Sequence, residues 1–303
     1  MEGFNGLITA YLLPDFYEKI KKYGNFARAD NISYYTQLKR LDMVIVTSKD
    51  VLTEEMIDEM KKLGLKYVIT ATNGYWHIKR KYLEKIGIKW FYTPVQTDSV
   101  ASGTVGIILS LCYKMYEINA ASKSGIKTKG IIRGDEPEVK TLGIIGCGKI
   151  GQRVAELVEP YKMKVIGYDP YKTSAEKIEL CDFDTVLKES DIISLHCDLT
   201  DETKNLLDKK EFDKMKSGVY IINTARGEII DGEALFEALN SGKVSWAVLD
   251  VLPKDRKEEF KKNSRTTVGD HNFFDTDQIR KKKGNAVLEI VDKLYEVEFG
   301  IIK

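Results

Sequence analysis

The chain has 303 residues, of which 43% are hydrophobic and 31% charged, with a formal net charge of +1. That length gives room for two ordinary domains, and that balance excludes a disordered chain. Lys and Arg are spread along the sequence, which argues against a nucleic-acid partner, and the basic run at 280–283 reads as the solvated face of a helix.

The apolar stretch 100–112 is interrupted by Ser102, Gly103, Thr104 and Ser110 and is too short to cross a bilayer, so it predicts a buried helix and no membrane partner. The opening residues MEGFNGLITAYLLPD carry neither a basic segment nor a small-residue cleavage site, so a cytoplasmic protein without a signal peptide is expected. The four cysteines, Cys112, Cys147, Cys181 and Cys197, have no metal-ligand or disulfide spacing and read as reduced thiols, with no metal expected. Only His77, His196 and His271 are available for imidazole chemistry.

In chain order, 43–47 reads as a strand and 53–63 as a helix opened by a capping box at Thr53. A strand at 66–70, a helix at 79–86 and a strand at 89–92 complete a β-α-β-α-β run, hence a small parallel sheet without a phosphate-binding glycine loop. One long helix is expected over 98–121, followed by a connecting segment at 122–140. The α/β rhythm then restarts with a strand at 142–145, a helix at 150–161 and a strand at 164–168. Further strands fall at 192–196, 219–223 and 246–250, and Asp231 caps a helix that ends before Gly242. The last helix, 275–297, lines up Val287, Ile290, Val291 and Leu294 on one side.

The segment 141–151 reads TLGIIGCGKIG: a buried strand runs into a G-x-G-x-x-G turn, and an amphipathic helix follows at once. Gly146 permits the tight turn, Gly148 lets a pyrophosphate approach the backbone, and Gly151 lets helix and strand pack closely. Phosphates would rest on the helix start at Lys149 and Ile150, where free N–H groups and the helix dipole favour anions. The next strand ends at Asp169, whose carboxylate can bind both ribose hydroxyls and would repel a 2′-phosphate. The cofactor expected is therefore NAD.

Two further stretches, DIISLHCDLTDET at 191–203 and NTARGEIIDGEALFEALNSGKVSWAVLDV at 223–251, together with the glycine loop, resemble the D-isomer specific 2-hydroxyacid dehydrogenases. TDSV at 97–100 and the pair His77-Ile78 most resemble the D-lactate type, including the vancomycin-resistance type. The resemblance implies an α/β fold of two Rossmann-like domains. A doubly wound NAD-binding domain at 98–271 would be inserted in a flavodoxin-like substrate domain formed by 1–97 and 272–303, with the substrate in the cleft between them. It also implies a homodimer, and the apolar helix from Asp98 onward would suit that interface.

Reduction of a 2-keto acid to the 2-hydroxy acid needs a fixed cation for the carboxylate, an acid for the carbonyl oxygen, and a carboxylate that keeps this acid protonated. By resemblance these are Arg226, His271 and Asp255. Glu258, Glu259 and Asp270 compete with Asp255, and on an extended chain Asp270 would point away from His271. The resemblance assigns cofactor contacts to Cys197, Thr224, Ala225, Arg226, His271 and Asp250, the last holding the nicotinamide amide. The loop Thr72, Asn73, Gly74 and Tyr75 matches the one whose backbone amides bind the substrate carboxylate. His196 reads as a structural residue near the cofactor, and His77 as a loop or cleft residue.

The departures cluster around the substrate: Ala71 replaces an arginine, Ser102 and Gly103 replace an acidic-aromatic pair, and Gly269-Asp270 precedes His271 where the family has Thr-Pro. Two readings follow. One is an enzyme interconverting a small 2-keto acid and its D-hydroxy acid with NADH. The other is an NAD(H)-binding regulatory or interaction protein on the same scaffold, with weak or no turnover. A phosphoglycerate dehydrogenase fits less well, since there is no added basic cluster for a phosphate.

Overall fold

A computed structural model describes residues 3–72, 74–93, 95 and 97–300. The chain divides into two compact units, 1–96 with 275–303 and 97–274.

The first unit contains β1 (Phe4–Ile8), α1 (Pro14–Ile20), β2 (Gly24–Arg28), β3 (Met43–Val46), α2 (Glu54–Lys62), β4 (Tyr67–Thr70), α3 (Arg80–Lys85) and β5 (Lys89–Tyr92). All its strands are parallel, in the order β2-β1-β3-β4-β5, which is the flavodoxin-like winding. The runs MVIV and YVIT are buried at every position, as a parallel sheet covered by helices on both faces requires. The first forty residues, unassigned from sequence, supply β1, α1 and β2. Their signal is weak because Gly6 interrupts the apolar run of β1, leaving its place to the Phe26 ring. Thr53 caps α2 by accepting the Met56 N–H at 3.2 Å, but a methionine in the third helical position cannot return the bond, so the expected capping box is only half made.

The second unit contains α4 (Thr97–Cys112), α5 (Met115–Lys123), β6 (Thr141–Ile145), α6 (Lys149–Val158), β7 (Lys164–Tyr168), β8 (Glu179–Leu180), α7 (Phe183–Glu189), β9 (Ile192–Leu195), α8 (Lys209–Lys214), β10 (Val219–Asn223), α9 (Gly232–Ser241), β11 (Val244–Leu249), α10 (Lys257–Lys262) and β12 (Thr266–Val268). Its seven strands, also all parallel, run β12-β11-β10-β9-β6-β7-β8. The segments following β6, β7, β9, β10, β11 and β12 therefore share one edge of the sheet, where ligands of doubly wound folds bind. The final helix, α11 (Asp277–Phe299), belongs to the first unit. Its Val287, Val291 and Leu294 join Phe4, Ile8, Phe16 and Met43 in one core cluster.

Two expectations change. The single helix over 98–121 is broken at Lys114, which adopts a left-handed φ of 49°. The apolar character of α4 also has an internal cause. Ala101, Val105, Ile107, Ile108 and Leu111 are buried in the second unit's own core with Leu142, Val154 and Ile222. Large apolar side chains that stay exposed flank the break and follow it, at Tyr113, Met115, Ile126, Ile131 and Val139.

Phe260 of α10 is fully buried and meets Phe236 of α9 edge-on with ring centroids 6.0 Å apart. It pins the charged segment between β11 and β12 to the core. Phe260→Ala should cost about 3–5 kcal/mol in urea unfolding. A loss below about 1 kcal/mol would mean that this segment is anchored in some other way.

Candidate functional site

The glycine loop follows β6. Gly146 has a φ of 94°, and a β-carbon there would strike the backbone of His196 and Cys197. A β-carbon at Gly151 would strike the Gly146 carbonyl, so both positions are glycine for lack of room. Gly148 differs: no atom lies within 4 Å of where its β-carbon would be. The space over Gly148 is open, and no side chain caps the amides that begin α6 at Lys149 and Ile150. Uncapped amides beside an open backbone suit a pyrophosphate. At the end of β7 the half-buried Asp169 accepts the Cys147 N–H on Oδ2 and the Tyr171 N–H on Oδ1, both at 3.0 Å. Each oxygen keeps further acceptor capacity, as ribose recognition needs. The residues present therefore fit a dinucleotide.

After β9, His196 donates its backbone N–H to the Ile145 carbonyl at 2.8 Å and pairs its ring Nε2 with Ser194 Oγ at 2.9 Å. Burial lowers its pKa to about 4, so it is neutral at physiological pH and unsuited to be the proton donor. Burial pushes the thiols the other way, to about 11 for Cys197 and about 12 for Cys147, so neither is a thiolate at neutral pH.

After β10 the chain turns through Thr224, Ala225 and Arg226. The turn is clamped by Asn223, which is fully buried: its Nδ2 donates to the Arg226 carbonyl at 2.9 Å and its Oδ1 accepts the Ala225 N–H at 3.0 Å. Sequence reasoning did not assign Asn223 a role, although an Asn at a strand end before a turn is a recognisable signal. Gly227 lets the turn approach the segment after β11, where a β-carbon would strike the Leu252 carbonyl. The Arg226 side chain is half-buried, and its Nη1 donates to the Ala225 carbonyl at 2.6 Å. No carboxylate among the described residues comes within ion-pair distance of it, and desolvation lowers its pKa against the distant pull of Asp198 and Glu228. Thr224 Oγ1 is also buried without a partner among the described residues.

Asp250 ends β11, buried, and Asp255 and His271 lie beyond it, both exposed. The Asp255 carboxylate packs over Gly232, at the start of α9, and occupies the place of a β-carbon there. Its competitors are otherwise engaged or exposed: Glu258 pairs with Lys261 at 2.8 Å, Glu259 lies 3.7 Å from Arg256, and Asp270 is exposed. His271 has a left-handed φ of 57°, so the chain is not extended here and the expected opposition of the Asp270 and His271 side chains has no basis. In the first unit, Thr72 Oγ1 donates to the Gly74 carbonyl at 2.6 Å, and Tyr75 rests against Trp90 and Tyr92 with Arg80 over its ring. Asn73 lies outside the described residues. His77 is buried in a short helical turn, with Nε2 2.9 Å from Thr70 Oγ1, and is no surface loop residue.

The His196 shift has a consequence for stability. Its folded pKa lies below the ordinary value, so the unfolded chain binds the extra proton first. Stability should be steady above about pH 6.5 and fall by up to about 3 kcal/mol toward pH 4 through this group. Urea titrations at several pH values should show a smaller acid loss in His196→Asn; identical losses in both proteins would contradict the assignment.

The family model for the D-isomer specific 2-hydroxyacid dehydrogenase NAD binding domain matches residues 105–279. A hydroxypyruvate reductase of Thermotoga maritima is 35% identical over 271 residues, covering 87% of each chain. A D-lactate dehydrogenase of Escherichia coli is 30% identical over 236 residues, covering 77% of this chain and 72% of its own. Among solved structures, the D-lactate dehydrogenase of Aquifex aeolicus complexed with NAD and lactic acid superposes with a TM-score of 0.85 at 29% identity, covering 97% and 96% of the two chains. The chain belongs to the D-isomer specific 2-hydroxyacid dehydrogenases and is an NAD-dependent oxidoreductase.

Proposed function

We propose that the chain reversibly reduces a small 2-keto acid, pyruvate being the first choice, to the D-2-hydroxy acid. The observation that carries this reading is the half-buried Arg226 guanidinium with no carboxylate at ion-pair distance among the described residues. A desolvated cation lacking a fixed counter-ion is costly and is the form a carboxylate-binding site takes before its ligand arrives. Gly146, Gly148, Lys149, Ile150, Gly151, Asp169, Cys197, Thr224, Ala225 and Asp250 would hold NADH, which when bound would supply the hydride. Arg226 grips the substrate carboxylate and polarises the carbonyl. His271 gives its proton to the carbonyl oxygen, and takes it back in the reverse direction. Asp255 is the carboxylate proposed to raise the His271 pKa. The family resemblance further assigns carboxylate recognition to the backbone of Asn73, Gly74 and Tyr75.

On this reading residues 98–271 form the cofactor domain and 1–97 with 272–303 the substrate domain. A homodimer is proposed with the exposed apolar residues from Tyr113 to Val139 at its interface, and light scattering behind a sizing column tests it. The described helices include none long and apolar enough to cross a membrane. We place the protein in the cytoplasm on the strength of its four free cysteines.

The test is NADH oxidation with pyruvate, 2-oxobutyrate, 2-oxoisocaproate, phenylpyruvate and hydroxypyruvate. Turnover is expected with NADH in preference to NADPH. His271→Ala should lose about 10²–10⁴-fold in kcat. Arg226→Gln should lose about 2–5 kcal/mol in kcat/KM. Asp255→Asn should move the alkaline limb of the reduction profile to lower pH, because loss of the carboxylate lowers the imidazole pKa. Tight NADH binding without turnover on any of these acids would instead favour the regulatory, non-catalytic reading.

A further inference from the structure

Asp250 gathers three successive backbone amides from the segment that carries His271. Its carbonyl accepts the His271 N–H at 2.8 Å, and its Oδ1 accepts the N–H groups of Asn272 at 3.0 Å and Phe273 at 3.1 Å. Asp250 is itself fixed, buried and donating its own N–H to the Asn223 carbonyl of β10 at 3.0 Å. The turn at 271–273 is thus wound around one carboxylate oxygen anchored to the sheet.

The backbone needs such an anchor. At a φ of 57° a residue with a β-carbon meets a steric penalty, and such conformations persist only when the surroundings hold them. Glycine would remove the penalty, but the imidazole would be lost with it. Gly269 has the complementary role. A β-carbon there would lie 2.5 Å from Asp250 Oδ1 and 2.5 Å from the Phe273 ring, while its φ is not left-handed, so the position is glycine to make room for the carboxylate. The side chains of Asp250 and His271 also attract each other electrostatically.

We propose that Asp250 is the positioning residue for His271. Its carbonyl holds the His271 N–H and its Oδ1 the N–H groups of Asn272 and Phe273, and together they set the direction of the imidazole, in addition to the cofactor contact assigned to it above. The proposal rests on His271 being the proton donor.

Three variants test it. Asp250→Ala removes the acceptor, Asp250→Asn keeps an oxygen acceptor without the charge, and Gly269→Ala pushes the carboxylate from its seat. Displacing a reacting group by about 1 Å costs on the order of 10²-fold, so kcat should fall by about that factor in Asp250→Ala and Gly269→Ala. NADH affinity, read by fluorescence, should change by less than about threefold in Gly269→Ala, and Asp250→Asn should recover kcat to within about tenfold of wild type. Amide hydrogen exchange at Asn272 and Phe273 should accelerate in Asp250→Ala and Gly269→Ala but not in Asp250→Asn. The proposal is overturned if exchange there is unchanged in Asp250→Ala. It is equally overturned if NADH affinity falls in step with kcat in Gly269→Ala, or if Asp250→Asn is as impaired as Asp250→Ala. Should Asp250→Ala fail to fold, the other two variants decide the matter. If the wild-type protein turns over no 2-keto acid while exchange responds as described, the function proposed above has failed and the anchoring of the turn stands.

Discussion

The candidate site in the second unit depends on a half-buried guanidinium that has no carboxylate at ion-pair distance among the described residues. The turn that carries Arg226 is fixed on both sides. Asn223 locks the turn from within the sheet, and Gly227 lets that turn press against the segment after β11. Asp198 and Glu228 are felt only at a distance. A charge kept in this state binds an incoming carboxylate more strongly than an exposed one would, since little solvent remains to be displaced. The buried, unpartnered Thr224 hydroxyl belongs to the same turn and adds to the polarity held in reserve there.

The cofactor half of the site is built differently. Gly146 and Gly151 let backbone segments approach where a β-carbon has no room, Gly148 leaves the space above it open, and the start of α6 offers uncapped backbone amides. Asp169 is tied to that loop through the Cys147 N–H, so the carboxylate proposed for the ribose and the turn proposed for the phosphates are joined by a hydrogen bond. Backbone recognition of this kind depends on shape. It is specified by a few glycines in sequence, and substitutions around it leave it intact. The groups assigned to the substrate are side chains on loops, where one methylene or one rotamer matters. In keeping with that contrast, the departures from the family pattern, at Ala71, Ser102, Gly103 and Gly269-Asp270, spare the glycine loop.

What could be read in the sequence follows the same division. The glycine loop, Asp169, Arg226 and five of the strands of the second sheet announce themselves through local pattern, whereas the two-residue β8 and three-residue β12 at its edges are too short to do so. The first three elements do not, because Gly6 breaks the run of β1 and α1 is only seven residues long. The break at Lys114 is also silent: a lysine in a left-handed conformation leaves no mark in a hydrophobic pattern. Nor could spacing reveal that Asp255 packs on Gly232 at the start of α9, since a charged run such as KDRKEEFKK gives no clue to which carboxylate meets a neighbouring element. The left-handed backbone of His271 is a tertiary outcome, set by Asp250 twenty-one positions earlier.

The central claim is that Arg226 stands ready for the carboxylate of a 2-keto acid once cofactor is present. Calorimetric titration with oxamate, which has the shape and charge of pyruvate but cannot accept a hydride, tests it directly. Oxamate should bind the NADH-loaded protein and bind Arg226→Gln about 30-fold or more weakly, the loss expected when one partner of a buried charge pair is removed. Equal oxamate affinity in the two proteins, with NADH affinity intact in both, would contradict the account.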